Sequence, residues 1–312
     1  MRTLDFWSGL KNDDRGASVA IGNFDGIHLG HQAVIDVARQ GAVARQAPLG
    51  IVTFEPHPRE YFAPDAPPFR LMNAEAKANR LEKLGIERLY QLRFDAVLAT
   101  LSPGAFAKDV LADGLGLTHV VIGEDFQFGK DRRGSATDLV EFGKALGFDV
   151  TIAPLVSNTQ GQFSSTNIRN ALSEGRPRDA AEMLGHWHRI DGEVFGGDQR
   201  GRELGYPTAN MSIDGLHPPK FGIYAVKVDV LTGSHIGTYD GAASVGVRPM
   251  FGENKAKLET YLFDFAGDLY GEHLSIAFVS YLRPEAKFEG LDALVKQMDQ
   301  DCLDARAILA DV

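Results

Sequence analysis

The sequence predicts two domains of different class: an α/β domain with a parallel sheet over residues 1–184, then a small antiparallel β-barrel with a C-terminal helix over 185–312. Up to about Leu184, short β-rich runs alternate with helical stretches, which favours a parallel sheet with right-handed crossovers. After Gly185 strand-like runs recur with turns between them, a pattern typical of antiparallel barrels. At 312 residues, 44% of them apolar, the chain is long enough for two cores.

In the first domain the apolar runs and helical patterns alternate regularly. The predicted strands are 18–21, 49–54, 88–92, 119–123 and 149–155, and the predicted helices are 32–40, 74–84, 103–111 and 138–146. Ser102 followed by Pro103 is a typical helix start. Ligands of parallel sheets bind at the carboxyl ends of the strands. We therefore expect the loops at 23–31, 55–58, 123–129 and 164–169 to face one crevice.

The second domain shows strand patterns followed by one amphipathic helix. Residues 222–231 and 273–282 are predicted strands, and 258–265 and 269–273 are predicted to meet at a turn over 266–268. The terminal helix carries one apolar stripe, formed by Leu291, Leu294, Val295, Met298, Cys302 and Leu309. The change of pattern near Gly185 is what places the domain boundary.

Composition limits the class of protein. The single cysteine, Cys302, excludes an internal disulfide framework, fits a reducing cytoplasm and is expected to be a small core residue. The formal net charge of −10 argues against general nucleic-acid binding. No apolar stretch is long enough to span a membrane, and the N-terminus lacks the apolar run of a signal peptide. We expect a cytoplasmic protein in which local cationic and backbone groups, rather than the overall charge, bind any polyphosphate.

The most informative segment joins the first strand to the first helix. It reads Gly-Asn-Phe-Asp-Gly-Ile-His-Leu-Gly-His over residues 22–31. His28 and His31 fall at the opening of the helix, three positions apart on one face. A helix N-terminus favours a phosphate, and two imidazoles could donate hydrogen bonds to phosphate oxygens that gain charge in a transition state. The alternative is a pair of surface histidines on an ordinary turn.

This segment resembles the signature of nucleotidyltransferases, and in its full form it is most similar to the FMN adenylyltransferase half of bacterial bifunctional riboflavin kinase/FAD synthetases. The resemblance implies a Rossmann-like nucleotidyltransferase domain in which the FMN phosphate attacks the α-phosphorus of ATP and pyrophosphate leaves. Mg²⁺ is expected to bridge the polyphosphate. The implied site consists of catalytic His28 and His31 and of ATP-binding Gly22, Asn23 and Asp25.

Two later segments continue this resemblance. Ser-Ser-Thr-Asn-Ile-Arg over 164–169 implies phosphate binding by Ser165, Thr166 and Arg169; alone, it could equally be a capping segment with a solvated arginine. Asp-Phe-Gln-Phe-Gly over 125–129 implies flavin contacts for Asp125 and Phe128, although most phenylalanines are simply core. In the loop at 55–58, His57 is interpreted as shaping a rigid Pro-His-Pro wall rather than as a base.

The second domain resembles riboflavin kinases. The chain has no Gly-x-x-x-x-Gly-Lys-Ser/Thr, which excludes a P-loop kinase. Gly-Tyr-Pro-Thr-Ala-Asn over 205–210 matches the riboflavin kinase signature and implies ATP binding by Gly205, with Thr208 and Asn210 binding both Mg²⁺ and ATP phosphates. The match continues at 258–265, where Glu259 is the implied general base. From the residues alone, Glu259 would be interpreted as a solvent-facing charge on a barrel strand. Arg283 is either a flavin ligand or a structural ion pair.

The sequence also departs from the family. Ser244 and Met250 stand where asparagine and threonine are usual, and His186 and His188 are interpreted as domain-junction residues. We expect a bifunctional enzyme that makes FMN from riboflavin and ATP, and then FAD from FMN and a second ATP. The alternatives are a monofunctional FAD synthetase with an impaired kinase and a non-catalytic flavin-binding regulator. The expected partners are riboflavin, FMN and ATP, with no nucleic acid and no membrane; the sequence does not indicate an oligomeric state.

Overall fold

The computed structural model describes residues 1–154, 157–158, 161–196, 204–247 and 256–312. The chain forms two compact units. The first contains Met1–Pro67 and Lys77–Phe163, and the second contains Pro68–Ala76 and Ser164–Val312. The division after Leu184 that the sequence favours remains a prediction. Within the described residues, each unit is built on one six-stranded sheet.

The sheet of the first unit is parallel throughout. Its strands are β1 (Arg2–Leu4), β2 (Ser18–Ile21), β3 (Leu49–Glu55), β4 (Arg88–Arg93), β5 (His119–Gly123) and β8 (Asp149–Ala153), in the order β1-β4-β3-β2-β5-β8. Two short antiparallel pairs accompany the sheet, β6 (Gln127–Phe128) with β7 (Gly134–Ser135) and β9 (Ser157–Asn158) with β10 (Gly161–Gln162). Every residue of β2 is buried, as expected for the centre of a parallel sheet.

Helices connect these strands. They are α1 (Leu29–Arg45), α2 (Pro58–Phe62), α3 (Ala74–Lys83), α4 (Ala96–Thr100), α5 (Pro103–Ala105) with a π-helical continuation (Phe106–Ala112), and α6 (Ala136–Leu146), besides 3₁₀ turns at Asn12–Asp14 and Lys130–Arg132. The predicted start at Ser102 is confirmed, because its hydroxyl accepts a hydrogen bond from the N–H of Ala105 and Pro103 occupies the first turn.

The order of the strands determines where a ligand-binding crevice forms in the first unit. From β2 the chain moves to β3 and β4 on one side, and then returns to β5 and β8 on the other side of β2. Ligands of such sheets bind beyond the carboxyl ends of the strands where the direction reverses. That point lies between the loop at 22–28, which follows β2, and the loop at 124–126, which follows β5.

The second unit contains two helices, an antiparallel barrel and a terminal helix. These are α7 (Ser165–Ser173), α8 (Pro177–Leu184), β11 (Arg189–Glu193), β12 (Ala209–Ser212), β13 (Gly222–Val230), β14 (Gly237–Val247), β15 (Ala256–Leu262), β16 (His273–Arg283) and α9 (Leu291–Leu309). The strand order is β11-β16-β13-β14-β15-β12. A bridge between Phe195 and Asn210 joins the two ends, so the barrel is nearly closed. The predicted fold class is confirmed in both units.

Two expectations for the second unit are wrong. The strand predicted at 269–273 does not form as such: residues 269–272 turn back through left-handed Gly271 (φ 78°) and a hydrogen bond from Glu272 N–H to the Leu269 carbonyl, and His273 is the first residue of β16. Leu291 is not part of the buried stripe: it is the first residue of α9 and 64% exposed. Ala305 and Leu309, at the other end of α9, pack against the barrel with Ala225 and Val279, as half-buried Cys302 also does. Among the described residues, no helix is both long and apolar enough to cross a membrane.

Candidate active sites

The loop between β2 and α1 has an unusual backbone. Phe24 (φ 51°) and Ile27 (φ 45°) are left-handed although neither is glycine, and Gly26 (φ 88°) lies between them. Both side chains are fully buried, at 1% and 0% exposure. Left-handed bulky residues cost free energy and persist only where the surroundings enforce them, most often at functional sites. Burial of these two side chains is what holds the loop in this conformation.

His28 and His31 meet at the start of α1, as the spacing predicts. His28 is the N-cap: its Nδ1 accepts a hydrogen bond of 3.3 Å from the backbone N–H of His31. Since that nitrogen must present a lone pair, the proton of neutral His28 lies on Nε2. The two rings stack with centroids 3.7 Å apart and planes 18° apart. A Cβ on Gly30 would come within 3.1 Å of the His28 ring, so the glycine makes room for it.

Both histidines are neutral at physiological pH. Burial lowers the pKa of His28 from 6.5 to about 4. Burial also lowers the pKa of His31 well below 6.5, with further lowering from His28 and from the charge of Lys77. Among the described residues, buried His31 Nδ1 has no hydrogen-bond partner. The pair therefore offers neutral hydrogen-bonding groups, rather than fixed positive charges, at the end of a helix that already favours anions.

The neighbouring loops frame the same edge of the sheet. Asp25 is buried within the β2–α1 loop, whereas Asp125 is exposed just after β5. The amide of Gly22 donates to the carbonyl of Val52 on β3, which fixes the start of the loop. His57 accepts a hydrogen bond from the N–H of Arg59 and caps α2, in line with a shaping role.

Sequence reasoning missed an aromatic array in this unit. Adjacent rings, with centroids 5.2–6.4 Å apart, link Phe62, Tyr61, Phe94, Phe54, Phe106, Phe128 and Phe126. The array runs from Phe62, which is 68% exposed, to the buried Phe128. Phe54 belongs to β3 and Phe94 directly follows β4, so aromatic residues recurring at the carboxyl ends of strands were the available signal. Such rings form offset and edge contacts with each other and with flat ligands.

Three predicted phosphate ligands lie in the second compact unit. Ser165, Thr166 and Arg169 are on α7, whose N-cap is Ser164. Arg169 Nε donates a hydrogen bond of 2.6 Å to the carbonyl of Phe69, and the guanidinium lies over the Phe69 ring. The capping interpretation thus applies to Ser164, and phosphate binding by the other three stays a prediction.

The barrel aligns most of the predicted kinase residues in one row. Asn210 on β12 is paired in register with Glu259 on β15, and Glu259 with Ser244 on β14. The row continues through Ile223 on β13 to Arg283 on β16. Directly paired residues project from the same face of a sheet, with Cβ atoms about 5 Å apart. The sequence motifs at 205–210, 244, 259 and 283 therefore converge on one strip of the barrel.

Further contacts set the ends of that row. The Asn210 side-chain amide donates a hydrogen bond of 3.2 Å to the Thr208 carbonyl, which leaves the amide oxygen available to accept. Arg283 forms a bidentate ion pair with buried Asp301 on α9, at 2.8 and 2.6 Å, so the ion-pair interpretation describes its geometry and flavin contact stays a prediction. Exposed Gly205 is left-handed (φ 83°) and precedes Tyr206, whose hydroxyl donates to Asp299. Met250 lies outside the described residues.

The donors near this row suit magnesium bound together with ATP. In the described part of the chain, no three His, Cys, Asp or Glu side chains are placed to hold a metal ion by themselves. Mg²⁺ in kinases is usually held by only one or two protein oxygens plus substrate phosphates. The Thr208 hydroxyl and the Asn210 amide oxygen are oxygen donors of that kind, two residues apart at the start of β12.

The first unit has a loop suited to binding phosphate, and the barrel carries a row of residues suited to phosphoryl transfer. Together they define the class of protein as a nucleotide-dependent transferase with two sites. Residues 10–167 match the FAD synthetase family and residues 184–309 the riboflavin kinase family. The chain is 41% identical over 302 residues to the bifunctional riboflavin kinase/FMN adenylyltransferase of Pseudomonas fluorescens, covering 96% of both chains. It is 37% identical to that of Listeria monocytogenes, covering 99% of this chain and 96% of the relative.

A solved structure described as a macrolide-efflux protein from Streptococcus pneumoniae has the same fold, with a TM-score of 0.81 at 32% identity over 96% of this chain and 97% of that one. The chain belongs to the family of bifunctional riboflavin kinase/FMN adenylyltransferases. It is an enzyme that phosphorylates riboflavin to FMN and adenylylates FMN to FAD, with ATP as co-substrate. The bifunctional expectation is confirmed.

Proposed function

We propose that the two reactions use separate sites, one in each compact unit. The His28–His31 pair carries adenylyl transfer, and the row containing Asn210 and Glu259 carries phosphorylation of riboflavin. The observation behind this division is the stacked, neutral histidine pair at the start of α1, beyond the reversal point of a parallel sheet. This histidine pair lies within the first unit and is suited to donating hydrogen bonds to a phosphate.

In adenylyl transfer, a phosphate oxygen of FMN attacks the α-phosphorus of ATP and pyrophosphate leaves. Neutral imidazoles donate hydrogen bonds to α-phosphate oxygens as these gain charge, and His28 does so through Nε2–H because its Nδ1 is engaged by the His31 amide. Gly22, Asn23 and Asp25 shape the loop around the nucleotide. Little covalent work falls to the protein, since positioning and charge stabilisation lower the barrier.

In this reaction the aromatic array contacts the isoalloxazine ring of FMN. Its exposed end at Phe62 and its inner end at Phe128 flank the carboxyl ends of β3, β4 and β5. The isoalloxazine ring is flat and largely apolar, and contact with such rings stabilises it. Asp125, exposed beside this array, provides a polar contact at the rim.

In the kinase reaction, Glu259 accepts the proton of the riboflavin 5′-hydroxyl as that oxygen attacks the γ-phosphorus of ATP and ADP leaves. Thr208 and Asn210 would hold Mg²⁺, which would neutralise phosphate charge together with ATP. Gly205 lets the backbone approach the phosphates, and Arg283 borders the flavin. Ser244, in register beside Glu259, replaces the family's asparagine with another hydrogen-bonding side chain.

The enzyme acts on small molecules in the cytoplasm, without nucleic-acid or membrane partners. The net charge of −10 and the single cysteine support this part of the proposal.

Two incubations of the purified protein test the division into two sites. With riboflavin, ATP and Mg²⁺, chromatography should resolve FMN and then FAD; with FMN, ATP and Mg²⁺, FAD and pyrophosphate should form without riboflavin. Omitting Mg²⁺ and adding a chelator should stop both. FAD formation that required riboflavin in the second incubation would contradict two independent sites.

A further inference from the structure

One buried cation in the first unit has no role in the chemistry described so far. Lys77, on α3, is 1% exposed. Its ammonium donates a hydrogen bond of 3.4 Å to the hydroxyl of Thr53 and lies 4.0 Å from a carboxylate oxygen of Glu55. Lysine is almost never fully buried, because removing its charge from water is costly even when a partner is present. A buried lysine next to a reaction site therefore indicates a functional role.

Thr53 links Lys77 to the loop that carries the histidines. The Thr53 hydroxyl accepts from Lys77 and donates a hydrogen bond of 3.2 Å to the backbone carbonyl of Asn23. A hydroxyl has one proton, so donating to Asn23 leaves its lone pairs for the ammonium. Asn23 immediately precedes left-handed Phe24. The ammonium is thus connected, through one buried side chain, to the strained part of the loop.

The charge of Lys77 also reaches the histidine pair. It lowers the pKa of His31, after the larger effects of burial and of His28. Charged groups act over longer distances in a dry interior than in water, because the effective dielectric constant is lower. In a chain of net charge −10, such a local cation offsets the repulsion that the remainder of the protein exerts on a polyphosphate.

We propose that Lys77 is a positioning residue for adenylyl transfer: its buried ammonium fixes the β2–α1 loop through Thr53 and supplies a positive charge to the histidine site. This inference rests on the assignment of adenylyl transfer to that histidine pair. Lys77 does not touch the substrates. It acts through the loop and through its electric field on the α-phosphate as charge develops there.

The test replaces Lys77 with methionine, which has a similar length and no charge. The kcat for FAD formation from FMN should fall about 100-fold, the loss typical of removing one preorganised electrostatic group, while KM for ATP rises no more than about threefold. FMN formation from riboflavin should stay at the wild-type rate. The melting temperature is measured beside both activities, because removing one partner of the Lys77–Glu55 ion pair lowers the stability of the fold.

Two further variants separate charge from shape. Lys77→Arg keeps the charge and should retain FAD formation within about tenfold of wild type. Thr53→Val keeps the charge but cuts the link to Asn23, and should lower kcat for FAD formation by about tenfold. Lys83→Met is the matched control, because Lys83 is an exposed lysine on the same helix, and it should change neither activity.

The outcomes are distinct. Wild-type FAD formation by Lys77→Met, an equal loss in Lys77→Met and Lys77→Arg, or a lower melting temperature with loss of both activities would each overturn the inference. If Lys77→Met does not fold, Thr53→Val decides: wild-type FAD formation by this variant overturns the proposal, and a loss of about tenfold in kcat supports it. If both Lys77→Met and His31→Ala form FAD at the wild-type rate, the assignment of adenylyl transfer to the histidine pair is wrong. If Lys77→Met forms FAD normally but His31→Ala does not, that assignment stands and only the role of Lys77 is refuted.

Discussion

The imidazole of His31 stacks on that of His28 with ring centroids 3.7 Å apart, while the backbone N–H of His31 donates to the Nδ1 of the same ring. One residue therefore holds the other by two contacts. Protonating His28 at Nδ1 would break its hydrogen bond and place a charge against the neighbouring ring. Burial is the largest cause that keeps both histidines neutral, and the hydrogen bond fixes the proton of His28 on Nε2.

The rate of FAD formation should be insensitive to histidine protonation in the mildly acidic range. The pKa of His28 is lowered to about 4 and that of His31 well below 6.5, so as pH falls from about 8 to about 5.5 both stay neutral. Steady-state kcat with FMN and ATP at saturation measures this, with the melting temperature checked at each pH. A loss of kcat below pH 6.5 greater than protonation of the FMN phosphate accounts for, with its second pKa of about 6, would contradict the neutral pair.

Replacing His31 with alanine should lower kcat for FAD formation by about 100-fold or more, because a preorganised donor to the α-phosphate is lost. FMN formation from riboflavin should persist, since the barrel is untouched. His57→Ala is the control: it removes the cap of α2 and should leave FAD formation within about tenfold of wild type. Loss of both activities in folded His31→Ala would refute separate sites.

Glu259→Gln should have the reverse effect. The amide keeps the shape of the side chain but cannot accept the riboflavin proton, so FMN formation should fall by about 100-fold or more, as expected for a general base. FAD formation from supplied FMN should continue. Glu193→Gln, the same exchange at an exposed position on β11, should leave both activities unchanged. If Glu259→Gln phosphorylates riboflavin at the wild-type rate, Glu259 is not the base.

Phe62→Ala should weaken FMN binding without destabilising the protein. Phe62 is 68% exposed at the outer end of the aromatic array, so little core is lost. One aromatic contact contributes about 1 kcal/mol, which corresponds to a rise in KM for FMN of roughly fivefold. Val97→Ala, at an equally exposed apolar position on α4, should leave KM unchanged. Unaltered KM for FMN in Phe62→Ala would place the flavin elsewhere.

His188 should make the protein less stable as pH falls. Burial lowers its pKa from 6.5 to about 3, so the unfolded chain binds more protons than the folded one between these values. Stability is fully present above pH 6.5 and declines below it, by about 2 kcal/mol at pH 5. His188→Phe, which keeps a ring against Phe278, should flatten this part of the pH dependence in denaturant titrations. An unchanged slope would mean that His188 takes up no proton on unfolding.

The parallel sheet was predictable because its strands are short, buried and separated by helical patterns. The strands Ser18–Ile21 and His119–Gly123 have the predicted bounds. The strand predicted at 269–273 is wrong for 269–272, where left-handed Gly271 turns the backbone, and only its last residue, His273, is extended, as the start of β16. Local sequence patterns predict buried, apolar strands well, but they predict the positions of turns poorly.

Sequence motifs named the kinase residues but not their alignment. Asn210, Glu259 and Arg283 are far apart in the chain, and only the register of the strands places them in one row. Lys77 could not be found from sequence, because a lysine on an amphipathic helix is normally solvent-facing. Its burial follows from how α3 packs beside β3, which local pattern does not reveal.

The left-handed backbone of Phe24 and Ile27 affects how a nucleotide is received. Both side chains are buried, so the loop has its conformation before any ligand arrives. Its loss of conformational entropy occurs once, when the protein folds, and does not recur with each turnover. Substitution of Ile27 by glycine would relieve the backbone yet let the loop sample many shapes, and each ATP would then have to select the competent one.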